Sequence, residues 1–518
     1  MAEPYYITTA IHYPNGKPHI GHAYEMIAAD AIARFHRQAG RDVRFQTGTD
    51  EHGLKMVQTA RKRGMEVRAL ADEMSSYFHE MADKLDISYD RFIRTVEPAH
   101  YAASQAIWQA MADAGDLYLS RYEGWYSVRD EAFYEEKELT EGEGGVRLSP
   151  QGTPVEWTAE ETWFFRLSKY QQPLLDFYAA HPEFIQPESR RNEVLRFVEG
   201  GLADLSVSRT SFDWGVPVPG SPGHVMYVWV DALTNYLTGA GYPDGGDMAR
   251  FWPADLHLIG KDIVRFHAVY WPAFLMSAKL ALPRQVFGHG FLLNRGEKMS
   301  KSTGNVIDPM ALAGLYGVDA LRYFLLRDIS FGQDGTFSDE AIVTRANADL
   351  ANSFGNLAQR TLSFIAKNLD GVLPLPGRSD PADDALLAQV AEAGAAFREE
   401  FAALSLGQAL ESWMRGVFAC NQYIDAQAPW SLRKTDPERM HAVLGTLVRA
   451  IRDLAILVWP VIPTSAGRVL DQLGQDARDH GALADSDWYI RAVDAGFRIA
   501  PPAPIFPRLA LEEAAVSA

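Results

Sequence analysis

The chain opens on a run of apolar and β-branched positions, PYYITTAIHY, broken by the turn PNGKP and followed by apolar residues at Ile20, Tyr24, Ile27, Ala28, Ala31 and Phe35. The first pattern predicts a buried strand; the second, with its period near 3.6, predicts an amphipathic helix that Gly40 closes. DVRFQTGTDEHG then reads as a second strand running into a polar loop, and residues 53–85 read as helices. Strand, helix and strand in this succession predict a βαβ unit, and so a parallel sheet with its ligand at the C-terminal ends of the strands. From about Gly115 the pattern becomes short aromatic strands separated by glycine turns, which predicts a small β-rich insertion. The α/β pattern resumes with MYVWVDALTNYL, DLHLIGKDIVRFHAVYWPAFL and QVFGHGFLL. Beyond NRGEKMSKSTGN, from about residue 340, the segments are amphipathic helices joined in one place by the proline-rich GVLPLPGRSDPADD, which predicts a terminal helical bundle.

Composition narrows the class. With 518 residues, 47% hydrophobic and 22% charged, the chain has apolar material for two to four domains and is not disordered. No apolar run approaches the roughly 20 residues of a membrane span, and MAEPYYITTAIHY lacks the basic-then-apolar order of a signal peptide. A cytoplasmic protein without a membrane partner is the expectation. The single cysteine, Cys420, excludes an internal disulfide and a thiolate-rich structural zinc site. A net charge of -18 argues against coating nucleic acid through bulk charge and leaves only a local basic surface for that purpose.

Two stretches carry candidate chemistry. In KPHIGHAYE, His19 and His22 flank Gly21 at the first turn of the predicted helix, where unpaired backbone N–H groups and the helix dipole favour an anionic phosphate. In GEKMSKSTGN, Lys298 and Lys301 sit in a glycine- and serine-rich loop able to close over a polyphosphate and follow its moving charge. Taken singly, each reads first as a solvated surface feature. Together, separated by an α/β stretch and an insertion, they point to nucleotide chemistry.

These stretches are the HIGH and KMSKS motifs, His19-Ile20-Gly21-His22 and Lys298-Met299-Ser300-Lys301-Ser302, and through them the chain resembles the class I aminoacyl-tRNA synthetases. Within that class it is similar to the methionyl-tRNA synthetase family, whose order is matched by TTAIHYPNGKPHIGHAYE, TGTDEHG, YVWVDALTNY, IGKDIVRFHAVYWPAFL, the lysine loop and DAQAPW. The resemblance implies an α/β fold: a Rossmann-type nucleotide-binding domain with a small inserted β-rich domain, then an α-helical anticodon-binding bundle. The expected divisions are 1–114 and 216–290 for the two catalytic halves, 115–215 for the insertion, 291–340 for the lysine loop and stem-contact region, and 341–518 for the bundle. It also implies methionine–tRNA ligation, in which L-methionine and ATP, carried with Mg2+, give methionyl-adenylate and pyrophosphate. The methionyl group then passes to the terminal adenosine of initiator and elongator tRNA(Met).

By the same resemblance His19, His22, Lys298 and Lys301 are catalytic, and Gly21, Gly260, Asp262 and Ser300 join them in binding ATP. Asp50 and the main chain of Ile11 hold the methionine ammonium. Ala10, Tyr13, Trp229, Ala232, Tyr236, Phe266, His267 and Trp271 form the side-chain pocket, with the Tyr236 hydroxyl placed to donate to the thioether. Without the resemblance, these aromatic residues read as core. Asn356, Arg360 and Trp430 map onto anticodon reading, and Arg209 falls where the family has a basic residue near the reaction centre. Many relatives carry a cysteine-built zinc knuckle in the insertion; YSVRDEAFYEEKELTEGEGGVRLSP has no cysteine, so a metal-free insertion packed by Trp125, Tyr126, Phe133 and Tyr134 is expected. A monomer is expected as well, because the chain stops shortly after the bundle.

Overall fold

The computed structural model describes residues 2–129, 132–294, 296–298, 306–375, 379–476, 485, 487–499 and 501–511. Its centre is a six-stranded sheet built from β1 (Pro4–Thr9), β2 (Asp42–Thr49), β3 (Arg91–Arg94), β4 (Ile185–Gln186), β5 (Leu256–Gly260) and β6 (Val286–His289). The spatial order is β3-β2-β1-β5-β6-β4 and every neighbouring pair is parallel. A parallel sheet must be covered on both faces, and β1 accordingly has five of its six residues buried. This strand ends at Thr9, earlier than its apolar pattern suggests. Ala10 still donates its amide to the Leu258 carbonyl (3.2 Å) and His12 faces Thr49, but Ala10 to Tyr13 otherwise leave the ladder and line a cavity.

Helix α1 (Ile20–Gln38) follows β1 and packs on one face; α2 (Pro98–Asp113) and α3 (Val228–Gly239) pack on the other side of the sheet. The chain expected as an insertion forms an antiparallel pair, Leu117–Ser127 with Glu156–Phe165, flanked by Ala132–Tyr134 and Leu205–Ser206. Tyr126 and Tyr134 are buried in it, and Trp125 meets Trp157 edge to face at 5.4 Å; the side chain of Phe133 lies outside the described residues. The stretch 115–215 is not wholly a separate unit, however: β4 lies within it and supplies the sheet's last strand through its pairing with β6.

After the sheet come α4 (Val318–Arg327), a π-helical stretch Ala346–Gly355 leading into α5 (Asn356–Asn368), and the long helices Pro381–Ala402, Leu406–Gln427 and α6 (Pro437–Val458). Cys420 is buried in the second of these long helices, remote in sequence from the insertion. One hydrophobic core runs from β1 and α1 through α4 into this bundle, and Phe35 of α1 stacks on Phe401 at 4.8 Å. A polar junction crosses the same boundary. The fully buried Arg322 of α4 donates to Asp30 of α1 (2.6 Å), to the carbonyls of Pro460 (3.0 Å) and Val461 (2.9 Å) just beyond α6, and to that of Leu85 (3.2 Å). Asp30 also accepts from Arg34 (2.8 Å) and from the Ser88 amide (2.7 Å); burial raises its pKa, but the two guanidiniums outweigh this and hold it below the usual carboxylate range.

Candidate active site

A cavity of about 480 Å³ opens at the C-terminal ends of β1, β2, β5 and β6, where ligands collect in open parallel sheets. At one end is the start of α1. His19 is its N-cap, in extended conformation, and accepts from the Gly21 amide through Nδ1 (3.1 Å); His22 accepts from the His19 amide through its own Nδ1 (3.1 Å). The two rings thus satisfy two orphan helix donors reciprocally, the work usually done by Ser and Glu in a capping box. They stack at 3.8 Å. A Cβ on Gly21 would lie 2.9 Å from the His19 ring, which explains the glycine between them. Because each Nδ1 accepts, each ring carries its proton on Nε2 and presents an N–H donor, not a full positive charge.

Next to this pair, Glu25 and His289 form a buried couple, Oε2 to Nε2 at 2.8 Å. The other ring nitrogen, Nδ1, faces the Gly290 carbonyl at 2.8 Å, an acceptor only. Both nitrogens therefore donate, and His289 is an imidazolium; burial would lower its pKa, but Glu25 raises it overall. The second carboxylate oxygen of Glu25 is buried and has no protein partner among the described residues. Gly260 and Asp262 line the wall beside it, and a Cβ on Gly260 would meet an Asp262 oxygen at 2.7 Å.

The opposite end is apolar and aromatic. Trp229 stacks on Phe266 at 3.8 Å, and Ala10, Ile11, Tyr13, Asp50, Ala232, Tyr236 and His267 share the same cavity. Phe266 and His267 sit in a π-helical turn, Phe266–Tyr270, a distortion that recurs at functional sites. His267 Nδ1 donates to the Ile263 carbonyl (3.0 Å), so its Nε2 accepts, and the Tyr236 hydroxyl donates to it (2.7 Å). This corrects the expectation that the Tyr236 proton is available to a thioether, since it is already used. Burial, opposed by the Ile263 carbonyl, brings the His267 pKa down to about 4. Trp271 differs from the other expected pocket residues: it is completely buried, lies 6.1 Å from the Tyr236 ring, and does not line the cavity.

A family model for class I tRNA synthetases of the methionine type matches residues 5–362, and one for the anticodon-binding domain of methionyl tRNA ligase matches residues 373–516. The chain is 58% identical over 507 residues to the methionine–tRNA ligase of Brucella suis, covering 98% of each protein. It superposes with a TM-score of 0.92 on Mycobacterium tuberculosis methionyl-tRNA synthetase in complex with methionyl-adenylate, at 56% identity and with 98% of this chain and 100% of that one covered. The chain belongs to the methionyl-tRNA synthetase family.

For a methionyl-tRNA synthetase the remaining expected residues fall as follows. Lys298 pairs through its backbone with Leu293, while its side chain, Ser300 and Lys301 lie outside the described residues. Arg209 is buried against the rings of Tyr227 (4.5 Å) and Tyr126 (5.4 Å) and does not line the cavity. Asn356 and Arg360 lie one turn apart on α5, and the Arg360 guanidinium rests 5.2 Å over the ring of Trp430, which is 44% exposed, while pairing with Asp425 at 2.7 Å. Glu25, His12, Lys55 and His289 line the cavity without having been singled out in the sequence. Glu25 had a usable signal, since it lies three residues beyond His22 on the same helix face. Arg129 and Gln151, which reach the cavity from the insertion, had none.

Proposed function

We propose that this cavity is where the chain, a methionine–tRNA ligase, joins L-methionine to ATP and then to the 3′-terminal adenosine of tRNA(Met). The reading is carried by the union, in one cavity, of a histidine-capped helix end suited to phosphates and an aromatic pocket with a carboxylate, Asp50, at its rim. Asp50 receives the methionine ammonium, and the stacked Trp229 and Phe266 enclose the polarizable thioether. The nucleoside lies along Gly260, Asp262 and the unpaired oxygen of Glu25, an acceptor suited to a ribose hydroxyl. The phosphates, with the magnesium ion that belongs to the substrate, lie at the mouth of α1.

In activation, a methionine carboxylate oxygen attacks the α-phosphorus, the bond to the β-phosphate oxygen breaks, and pyrophosphate leaves. The nucleophile is already an anion, so no base is required; positioning and stabilisation of developing charge carry the step. His19 and His22 contribute directed N–H donors, and Lys298 and Lys301 contribute cations. In the second step the ribose hydroxyl of the tRNA attacks the adenylate carbonyl, AMP departs with the shared electron pair, and the hydroxyl proton passes to the departing phosphate oxygen. Asn356, Arg360 and Trp430 read the anticodon, the indole serving as a stacking platform, and serve initiator and elongator tRNA alike.

Pyrophosphate exchange measured over a panel of amino acids tests this reading. Methionine-dependent exchange is expected. Exchange with leucine, isoleucine or valine and none with methionine would falsify it.

A further inference from the structure

Beside the methionine end of the cavity, but outside it, lies a buried network that the reaction above leaves unused. Asp231 is in the first turn of α3, two residues after Trp229 and one before Ala232. It is completely buried, and its carboxylate receives two imidazoles: Oδ2 meets His52 Nδ1 at 2.6 Å, and Oδ1 meets His100 Nε2 at 2.7 Å. No lysine or arginine pairs with it among the described residues. Burial pushes this carboxyl up, but His52 and His100 outweigh it and bring it down to about 2, so it stays ionised. A carboxylate accepts only, so His52 must carry a proton on Nδ1 and His100 one on Nε2. Each ring has further polar neighbours. His52 Nε2 meets the Tyr101 hydroxyl at 3.0 Å, His100 Nδ1 meets the Thr238 hydroxyl at 3.0 Å, and the Ser104 hydroxyl lies 3.3 Å from His100 Nε2.

What this joins is specific. His52 is two residues beyond Asp50, in the loop after β2; His100 is on α2; Asp231 is on the helix whose next residues are pocket wall. The same loop is also held at Glu51, which accepts from Arg94 at 2.6 Å through both oxygens and gives its backbone carbonyl to the Trp214 indole at 2.6 Å. The two residues that follow Asp50 are thus both clamped. The ATP end, made by α1 and β6, shares none of these contacts.

We infer that Asp231 is a positioning residue for methionine: by taking one N–H from His52 and one from His100, it sets Asp50 and the Trp229–Tyr236 wall at the spacing the amino acid requires. This rests on the reading that Asp50 binds the methionine ammonium. The network acts on methionine binding and leaves ATP binding alone.

The two rings donate through different nitrogens, and this provides a crossed test. An asparagine amide nitrogen falls where an imidazole has Nδ1, and a glutamine amide nitrogen falls where it has Nε2. His52→Asn and His100→Gln therefore keep their donor to Asp231, whereas His52→Gln and His100→Asn lose it. In pyrophosphate exchange, the first pair is expected to keep the methionine KM within about threefold of the parent. The second pair is expected to raise it about tenfold or more, with the ATP KM changed less than about twofold. A side-chain volume effect gives no such crossing, so equal KM values within each pair of substitutions at one position overturn the inference. A rise in the ATP KM equal to that for methionine also overturns it. Should the donor-losing variants fail to fold, 15N–1H spectra of the parent protein decide instead: protons on His52 Nδ1 and His100 Nε2 are expected, and the opposite tautomer at either ring refutes the network. Absence of methionine-dependent exchange in the parent protein would instead remove the functional reading beneath it.

Discussion

At the level of single residues, His19 performs two tasks that can be separated. Its Nδ1 caps α1 and, in the function proposed above, its Nε2 edge is the part offered to phosphate, so His19→Asn preserves the cap and removes that donor. Exchange is expected to fall about 100-fold or more while the thermal midpoint moves by no more than about 1 kcal/mol equivalent; parallel loss of both, followed by calorimetry and kinetics, would mean the ring is there for the helix alone. His267 makes a prediction in pH. Its pKa is about 4 in the fold against an ordinary 6.5, so below pH 6.5 the unfolded chain takes up the proton first. Stability that is complete above pH 6.5 is then lost as pH falls toward 4, by on the order of 3 kcal/mol from this ring, and the buried His12 and His257 act in the same sense. His289, whose pKa is raised, acts in the opposite direction: its contribution is present in acid and fades as pH rises through its folded pKa. His267→Gln is expected to flatten the decline of Tm between pH 6.5 and 4 in a thermal-shift series, and an unchanged slope would contradict the assignment.

Among the elements, the Asp30–Arg322 junction ties the helix capped by His19 and His22 to the end of the long buried bundle helix α6. Breaking a buried pair leaves an uncompensated charge, so Arg322→Met is expected to cost about 3–5 kcal/mol in urea unfolding; a change below about 1 kcal/mol would show that the junction relaxes without it. This contact shows where reading the sequence stops. Motifs whose spacing is short, such as His19 with His22, or whose pattern is periodic, such as α1, were legible because the local chain determines their geometry. Arg322 was not: it lies in a stretch that reads as ordinary amphipathic helix, and its partner is 292 positions away. The same holds for β4, two residues inside what reads as an insertion, and for Tyr236, whose proton is committed by a carbonyl that fixes the tautomer of a third residue. Periodicity carries no information about the π-helical stretches either, although one contains His267 and the other ends beside Asn356, both expected site residues.

For the whole molecule, the charge of -18 and the need to bind a polyanion are reconciled by placing donors locally. The surface proposed to read the anticodon follows the same economy, with the Arg360 guanidinium laid over the exposed Trp430 indole. Trp430→Ala is expected to raise the tRNA KM in aminoacylation about 10- to 100-fold through lost stacking, with methionine-dependent exchange unchanged; equal loss in both assays would place Trp430 in the general fold. The order of the central sheet bears finally on how the chain is made. The first three strands are complete at Arg94, yet β1 waits for β5, which begins at Leu256. At roughly 5–20 residues per second on the ribosome, β1 therefore spends on the order of ten to thirty seconds as a bare edge. During that interval α2, the insertion and α3 are the new chain available to shield it, so the segment that later lends Arg129 and Gln151 to the cavity is also, by its timing, among the first covers for the sheet beneath.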